Sequence, residues 1–296
     1  MTGTAHARYE PAFASFEEKW LQANPEQRAV GAFLPPSARR LASAFGVLVH
    51  ELTHAAFGVR EAQVAAAKLS WWRDELAAMS AGSPRHPVTR ELAAQIGVAS
   101  FDQSRASQII DGALSLLDGP APSSLDAQFR ELAAFYLPVS NLEAQLLRGD
   151  AAQLAANANL WTSAHLLRSV GAFAAEHSMT DRLPALPLDL LARHGLTHAQ
   201  VGVPGGARAA FLRDYLAALT DRLDSALIAA THAQVGTRVR ARLDLALAAR
   251  AVRDADPLPR LAHGRTAGWR AVWLAWREAR AAERARRVQR NLSPAP

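Results

Sequence analysis

The 296-residue sequence contains no cysteine. Disulfide bonds, thiolate metal ligands, iron–sulfur clusters and a cysteine nucleophile are therefore excluded. No apolar run approaches the roughly 20 residues that a membrane-spanning helix needs. The N-terminal residues also lack the basic and apolar regions of a secretory signal. These absences are compatible with a cytoplasmic protein, and we expect that location.

Alternating runs of β-branched residues are missing as well, whereas alanine and leucine are abundant. This composition predicts helices nearly throughout the chain. Proline and glycine clusters separate the helices, and no linker is long enough to require two domains. We therefore predict one all-α domain over residues 1–296, with a disordered tail at 291–296. Helices are predicted at about 38–57, 60–80, 87–98, 102–117, 124–148, 151–176, 207–232, 235–254 and 265–290, after a first helix that carries Phe13, Phe16 and Trp20.

Positive charge is concentrated near the C-terminus. Nine arginines and two glutamates lie between residues 260 and 290, so this segment accounts for the whole net charge of +6. Trp269, Trp273 and Trp276 recur at helical spacing and are followed by arginines that include Arg280, Arg284 and Arg287. We favour a last core helix with a charged outer end; the alternative is an interfacial helix that docks on an anionic membrane as a peripheral protein. Nucleic acid is not an expected partner, because no base-reading module or glycine-rich phosphate loop is visible.

The segment His50-Glu51-Leu52-Thr53-His54 matches the zinc-protease pattern H-E-x-x-H. On a helix, His50 and His54 lie one turn apart and could ligate zinc, with Glu51 as the general base and Glu75 as a third ligand. The longer spacing pattern of the metzincins is absent, however, and no strand is predicted that could hold a peptide. A zinc hydrolase is therefore a remote alternative. Two solvated surface histidines are the structural explanation of the same pattern.

Three segments together resemble the squalene/phytoene synthase family. F-G-V-L-V-H-E-L-T-H, followed by K-L-S-W-W-R-D-E-L, is similar to the stretch in which the family carries approximately F-x-R-x-x-D-D-x-x-D. A-N-L-W-T-S-A-H-L-L-R, at 158–168, is similar to the helix with the family's second aspartate motif. D-R-L-P-A-L-P-L-D-L-L-A-R-H-G-L is the most specific match, to an L-P-x-D-L-L segment. The resemblance covers about residues 30–200.

The resemblance implies a helical bundle of the isoprenoid synthase type around a central cavity. It also implies head-to-head condensation of prenyl diphosphates, with Mg²⁺ held by both aspartate motifs. This sequence departs from the family at those motifs. His50, Glu51 and His54 occupy the aspartate positions, and Val47 occupies the arginine position. The second region has His165 and Arg168, with Glu176 as the sole acid nearby.

Imidazole is a poor ligand for Mg²⁺, and one or two carboxylates do not assemble a site for several Mg²⁺ ions. Our main hypothesis is therefore a catalytically degenerate member that binds a prenyl chain or another lipid, or that acts as an assembly or accessory factor, as divergent members of the family do. The alternative is an active prenyltransferase, and only this alternative would need Mg²⁺ as a cofactor. We predict that Trp72 packs in the core. Arg73 and Arg168 could contact an anionic head group, although ion pairing or solvation is the more frequent role of such arginines. The candidate cavity positions are Val47, His50, Glu51, His54, Trp71, Arg73, His165, Arg168 and Glu176.

Overall fold

The computed structural model describes residues 3–97, 101–174, 185–263 and 268–292, with side chains described between residues 12 and 284. Within these ranges the chain forms α-helices and short 3₁₀ or π turns, and no β-strand occurs there. None of the described helices is long and apolar enough to cross a membrane. The α-helices are α1 (Gly3–Ala23), α2 (Glu26–Gly31), α3 (Pro36–Thr53), α4 (Ala62–Ser80), α5 (Pro87–Ile96), α6 (Gln103–Ser115), α7 (Leu125–Leu146), α8 (Leu154–Ser169), α9 (Leu188–Arg193), α10 (Gly206–Ala229), α11 (Val235–Ala251), α12 (Leu258–His263) and α13 (Trp269–Leu292).

The core is one cluster of buried apolar side chains that extends from α1 to α12. The helix α7 packs between α6 and α8, and α8 packs in turn against α10. The helix α3 packs against α5 and α1, while α13 lies against α11 and α2. The smaller cluster under α13 is built on Val30, Val235, Val239 and Leu274. The sequence patterns therefore place most apolar stripes correctly, including Trp72, which is 5% exposed.

Several helix ends differ by a few residues from the predicted ones. The helix α7 begins at Leu125, where Ser124 caps it by accepting a hydrogen bond from the backbone N–H of Ala127 at 3.2 Å. The N-cap of α2 is Pro25, and the side-chain amide of the preceding Asn24 donates to the carbonyl of Trp20 at 3.0 Å. At the C-terminus, α13 continues to Leu292, so the predicted tail overlaps this helix. Residues 293–296 lie outside the described part of the chain.

Candidate functional site

The H-E-x-x-H segment lies where α3 passes into a π-helical turn at His54–Gly58. His50 is half-buried, and burial holds the pKa of its imidazole below the ordinary value. Glu51 accepts a hydrogen bond from the Lys19 ammonium at 3.4 Å. His54 is exposed on the π turn, directly over Gly58, where an added Cβ would come within 2.3 Å of the His54 Nδ1 atom. The His54 ring therefore packs over the π turn and is open to solvent.

Glu75, the third ligand that the zinc alternative would use, has a structural role. Glu75 is fully buried and accepts hydrogen bonds from the backbone N–H groups of Arg85 at 2.7 Å and His86 at 2.8 Å. The Thr89 hydroxyl donates to the same carboxylate at 2.5 Å. Burial alone would raise the pKa of Glu75, but these hydrogen bonds together lower it. Glu75 thus fastens the turn between α4 and α5, and no group of three or more metal-ligating side chains occurs among the described residues.

Arg168 occupies the centre of a buried ion-pair network. Its guanidinium donates to Asp244 on α11 at 3.1 Å and to Glu26 on α2 at 3.1 Å. It also donates to the side-chain oxygen of Asn24 at 2.9 Å. Burial alone would lower the pKa of Arg168, but the two carboxylates hold it above its usual range. Arg168 is therefore ion-paired, and its guanidinium is committed to the protein.

A second buried group lies beside this network. The guanidinium of Arg240 packs over the Trp161 ring at 4.6 Å, and its Nε atom is 3.5 Å from Glu26. Burial and the neighbouring Arg168 lower the pKa of Arg240. Glu143 accepts hydrogen bonds from the Trp161 indole at 3.0 Å and the Thr237 hydroxyl at 3.2 Å. Burial raises the pKa of Glu143.

These side chains, with Trp20 of α1, close the space between α3 and α8. A void of about 60 Å³ is left there, bordered by Trp20, Gly46, Glu143, Trp161 and Arg240 among others. A void of that size holds a water or two. The sequence reasoning identified Arg168 but missed Glu26, Glu143, Arg240 and Asp244. No local motif marks these four, because their meeting depends on the packing of α2, α7, α8 and α11.

A much larger cavity lies on the other side of α8. Its volume is about 820 Å³, and it lies between α7, α8, the α6–α7 connection and residues 185–198. Most of its wall is apolar, and no lysine or arginine is among the described residues that line it. Its wall includes the side chains of Phe57, Leu132, His165, Leu166, Leu191 and Leu196.

His165 forms a polar point in this apolar wall. Its ring centroid is 4.6 Å from that of Phe57 and 5.7 Å from that of Tyr136. Burial lowers the pKa of His165 to about 4, so the imidazole is neutral at pH 7. Phe57, which follows the H-E-x-x-H segment on the π turn, joins the first motif region to this wall. The sequence reasoning did not select Phe57, although it lies on the same face of the predicted helix as His50 and His54.

The other candidate cavity positions that the structure describes are not among the residues that line this cavity. Val47 is completely buried in the core, so packing explains its apolar side chain. Trp71 is 43% exposed and lies edge-on to the rings of Trp72 and His86. Arg73 forms an ion pair with Asp111, so Arg73, like Arg168, has the ion-paired role that was the alternative to contact with an anionic head group. The contacts described above account for the side chains of His50, Glu51, His54 and Arg168. Glu176 lies outside the described residues.

The tryptophans near the C-terminus are on the surface, which corrects our preference for a core helix. Trp269 is 81% exposed, Trp273 46% and Trp276 45%. The face of α13 that packs inward instead carries Ala271, Leu274 and Ala275. The core prediction failed because alanines and one leucine, and not the large rings, form the inward face of α13. Arg280 and Arg284 are exposed, and the Arg287 side chain lies outside the described set.

Comparisons with known proteins agree on the fold. The chain is similar to the crystal structure of a dehydrosqualene synthase in complex with ligand, with a TM-score of 0.69 and 13% identity, over 94% of this chain and 99% of the other. It is also similar to squalene synthase HpnC from Alicyclobacillus acidocaldarius, with a TM-score of 0.57 and 14% identity, over 95% of each chain. A search of the curated proteins found no match. These similarities confirm the predicted all-α isoprenoid synthase fold.

The family profile described as squalene/phytoene synthase matches residues 27–277. This range contains all three segments on which the resemblance was based, together with the residues that line the 820 Å³ cavity and the Arg168–Asp244 ion pair, whereas Asn24 and Glu26 lie just before it. It also extends past residue 200, where the sequence reasoning relied on helical pattern alone. The chain belongs to the squalene/phytoene synthase family.

Proposed function

We propose that this protein binds an uncharged isoprenoid, or a similar long apolar molecule, in the 820 Å³ cavity and does not condense prenyl diphosphates. One observation carries the proposal. Arg168, in the helix that resembles the second metal motif, is bound to Glu26 and Asp244, while the apolar cavity beside that helix is large and has no cation among its described lining residues. The chain thus combines a closed polar centre, in which Arg168 is already ion-paired, with an open apolar cavity of about 820 Å³.

The residues present do not fit a multi-Mg²⁺ centre. Mg²⁺ needs near-octahedral oxygen ligation, usually from carboxylates, phosphates and water. Glu26 and Asp244 already neutralise Arg168, so moving either one to a metal would leave a buried guanidinium without its counter-ion, which is costly. The first motif offers two imidazoles and Glu51, and Glu51 pairs with Lys19. These residues therefore do not support a metal-dependent condensation.

The cavity chemistry selects an apolar ligand without a diphosphate. Its volume of about 820 Å³ lies in the range of ordinary small-molecule sites, about 300–1,000 Å³. Each buried methylene of a prenyl chain contributes roughly 0.8 kcal/mol before the costs of binding are subtracted. A diphosphate in this cavity would contact the neutral ring of His165. No arginine or lysine is present among the described lining residues to compensate its charge. His165 can instead exchange one hydrogen bond with a hydroxyl or carbonyl group.

The test is to measure binding of farnesol and of farnesyl diphosphate, each with and without Mg²⁺, by native mass spectrometry and by titration of the intrinsic fluorescence. We expect farnesol to bind without Mg²⁺, and farnesyl diphosphate to bind at least about tenfold more weakly, because a buried charge without a partner costs more than 1.4 kcal/mol. Lipid extracted from the purified protein should likewise contain an apolar chain.

Two tryptophan substitutions provide the matched pair of variants. Leu196→Trp places a large ring in the cavity wall and should weaken farnesol binding at least about tenfold, by removing contact volume. Val203→Trp adds the same ring at a position that is 60% exposed and should leave binding unchanged. Formation of squalene, phytoene or a cyclopropyl intermediate from pure protein with Mg²⁺ would overturn the proposal, as would equal binding by the two variants.

A further inference from the structure

The outer face of α13 is a continuous stripe of aromatic and basic side chains. Successive helical residues turn by about 100°, so residues at spacings of three, four and seven share one face. The exposed residues Trp269, Trp273 and Trp276 follow this spacing, and Val272, 49% exposed, lies beside them. Arg280 and Arg284 continue the same face toward the C-terminus, and the exposed Glu283 lies between them on that face. We call these residues, Trp269, Val272, Trp273, Trp276, Arg280 and Arg284, the α13 stripe.

The inner face of the same helix is fully occupied. Ala271, Leu274 and Ala275 are buried against α2 and α11. Glu278 is also buried, and its carboxylate accepts hydrogen bonds from Arg238 at 2.8 Å and Arg242 at 2.6 Å. The helix is thus anchored by its small residues and one ion-paired acid, and its large aromatic rings are left at the surface.

We propose that the α13 stripe docks on an anionic membrane surface. The indole ring is apolar with one polar N–H, and such rings favour the head-group region of a bilayer. The arginines that follow would lie against lipid phosphates, with which guanidinium groups form paired hydrogen bonds. The inference does not depend on which molecule fills the internal cavity.

Charge complementarity favours a membrane over a second copy of the chain. The acids of α13 are Glu278, which faces inward and is neutralised by arginines, and Glu283, which is exposed. A symmetric dimer through the stripe would therefore offer one exposed carboxylate per copy to Arg280 and Arg284. Arg277, which lies over the Trp273 ring at 4.6 Å, already donates to Glu278 at 3.3 Å. An anionic lipid surface supplies a negative charge to both Arg280 and Arg284.

The binding test is co-sedimentation with vesicles of phosphatidylcholine alone and with vesicles that also contain phosphatidylglycerol, at low ionic strength and at about 0.15 M salt. One basic residue near an anionic surface strengthens binding about fivefold. The double variant Arg280→Glu, Arg284→Glu should thus bind anionic vesicles about 25-fold more weakly or worse. The wild-type protein should bind best at low salt, and its tryptophan emission should shift to the blue when vesicles are added.

A matched control carries the same charge change elsewhere. Lys68→Glu with Arg130→Glu alters two exposed residues on α4 and α7, outside the stripe, and should weaken vesicle binding much less than the stripe variant does, most clearly at about 0.15 M salt, where the Debye length is only about 8 Å. Trp273→Ala with Trp276→Ala should weaken binding to both vesicle types, while Trp71→Ala should not. Each variant is first checked for unchanged helical circular dichroism.

Three results would overturn the proposal. The first is a wild-type protein that does not sediment with anionic vesicles at low salt. The second is an equal loss of binding in the stripe variant and in the control variant. The third is a dimer in solution that Trp273→Ala with Trp276→Ala dissociates, without any vesicle binding by the monomer; the stripe would then be a contact between copies of the chain.

Discussion

Arg168 joins three helices through one guanidinium. It lies on α8 and binds Glu26 on α2 and Asp244 on α11, and both carboxylates are buried. A buried ion pair of this kind contributes little net stability, because desolvation opposes attraction, but loss of one partner is costly. The main effect of the network is that the carboxylates of Glu26 and Asp244 are engaged by Arg168. Oxygens that neutralise Arg168 are not available to an incoming cation.

At the same scale, His165 predicts a pH dependence of stability. Burial lowers its pKa in the folded protein to about 4, from 6.5. The folded state therefore disfavours the protonated ring, so the stability is fully present above about pH 6.5 and is lost as the pH falls toward 4. This loss should amount to at most about 3 kcal/mol for this one group. Denaturant unfolding at several pH values between 7 and 4 measures it.

His165→Phe removes the titrating group and supplies the comparison. Its free energy of unfolding should fall less over the same pH interval than that of the wild-type protein, and the difference should approach about 3 kcal/mol. The pKa values of Glu26 and Glu75 are lowered in the folded state, so these two residues also contribute to the loss of protein stability as the pH falls. Their contribution is the same in both proteins. Parallel pH curves for the two proteins would show that the ring is not held neutral by burial.

At the scale of elements, helix type and core faces were predictable, but several boundaries and contacts were not. The apolar stripe of α4 is buried as its spacing indicates, including Leu69, Leu76 and Met79. The end of α3 was predicted as one helix to Phe57, whereas the structure changes to a π turn at His54. This turn brings Phe57 to the cavity wall, and π turns inside helices often occur at functional sites. Propensity does not distinguish an α turn from a π turn, so the sequence alone could not place it.

The contact between α6 and α7 depends on one glycine. A Cβ added at Gly112 would lie 1.9 Å from the carbonyl oxygen of Ala134, a backbone atom that cannot rotate away. Gly112→Ala should therefore force the two helices apart and destabilise the protein by about 1–3 kcal/mol or more. This cost exceeds the gain of up to about 1 kcal/mol in helix propensity. Thermal or denaturant unfolding measures the change.

The control for this substitution is Gly206→Ala at the start of α10. No heavy atom lies within 4 Å of the added Cβ there, so its stability should be unchanged or slightly higher. Since the α6–α7 connection borders the large cavity, Gly112→Ala should also weaken farnesol binding. An unaltered unfolding midpoint for Gly112→Ala would mean that the two helices do not approach each other as closely as described.

At the scale of the whole molecule, the fold was predictable because many positions specify it together. Apolar periodicity, proline and glycine breaks and the L-P-x-D-L-L segment all agreed on a helical bundle, and a few changed motif residues do not alter packing. The candidate site was less predictable. His165 and Arg168 were found because they lie in a recognisable helix, whereas Glu26, Asp244 and Glu143 come from separate helices and meet only in the folded chain. The exposure of Trp269 was missed because three aromatic rings at helical spacing are as typical of a buried helix face as of an exposed one.

The division between a closed polar centre and an open apolar cavity predicts how the whole protein responds to ligands. A ligand that binds only the folded state at a hundred times its dissociation constant adds about 2.7 kcal/mol to the free energy of unfolding. For a chain of this size, that corresponds to a rise of about 5 °C in Tm. Farnesol should produce such a rise through the contacts of Leu132, Leu166 and Leu191 in the cavity wall. Differential scanning calorimetry of the full chain measures it.

Mg²⁺ should behave differently, because the carboxylates near Arg168 are already paired. Millimolar Mg²⁺, alone or with farnesyl diphosphate, should shift Tm by less than about 1 °C, since the described residues contain no group of three or more metal-ligating side chains to bind it. Leu196→Trp should lose the rise with farnesol, while Val203→Trp should keep it. A rise in Tm that requires both Mg²⁺ and the diphosphate would instead mean that the ion pairs of Arg168 open to form a metal site, and the chain would then have to be treated as an active prenyltransferase.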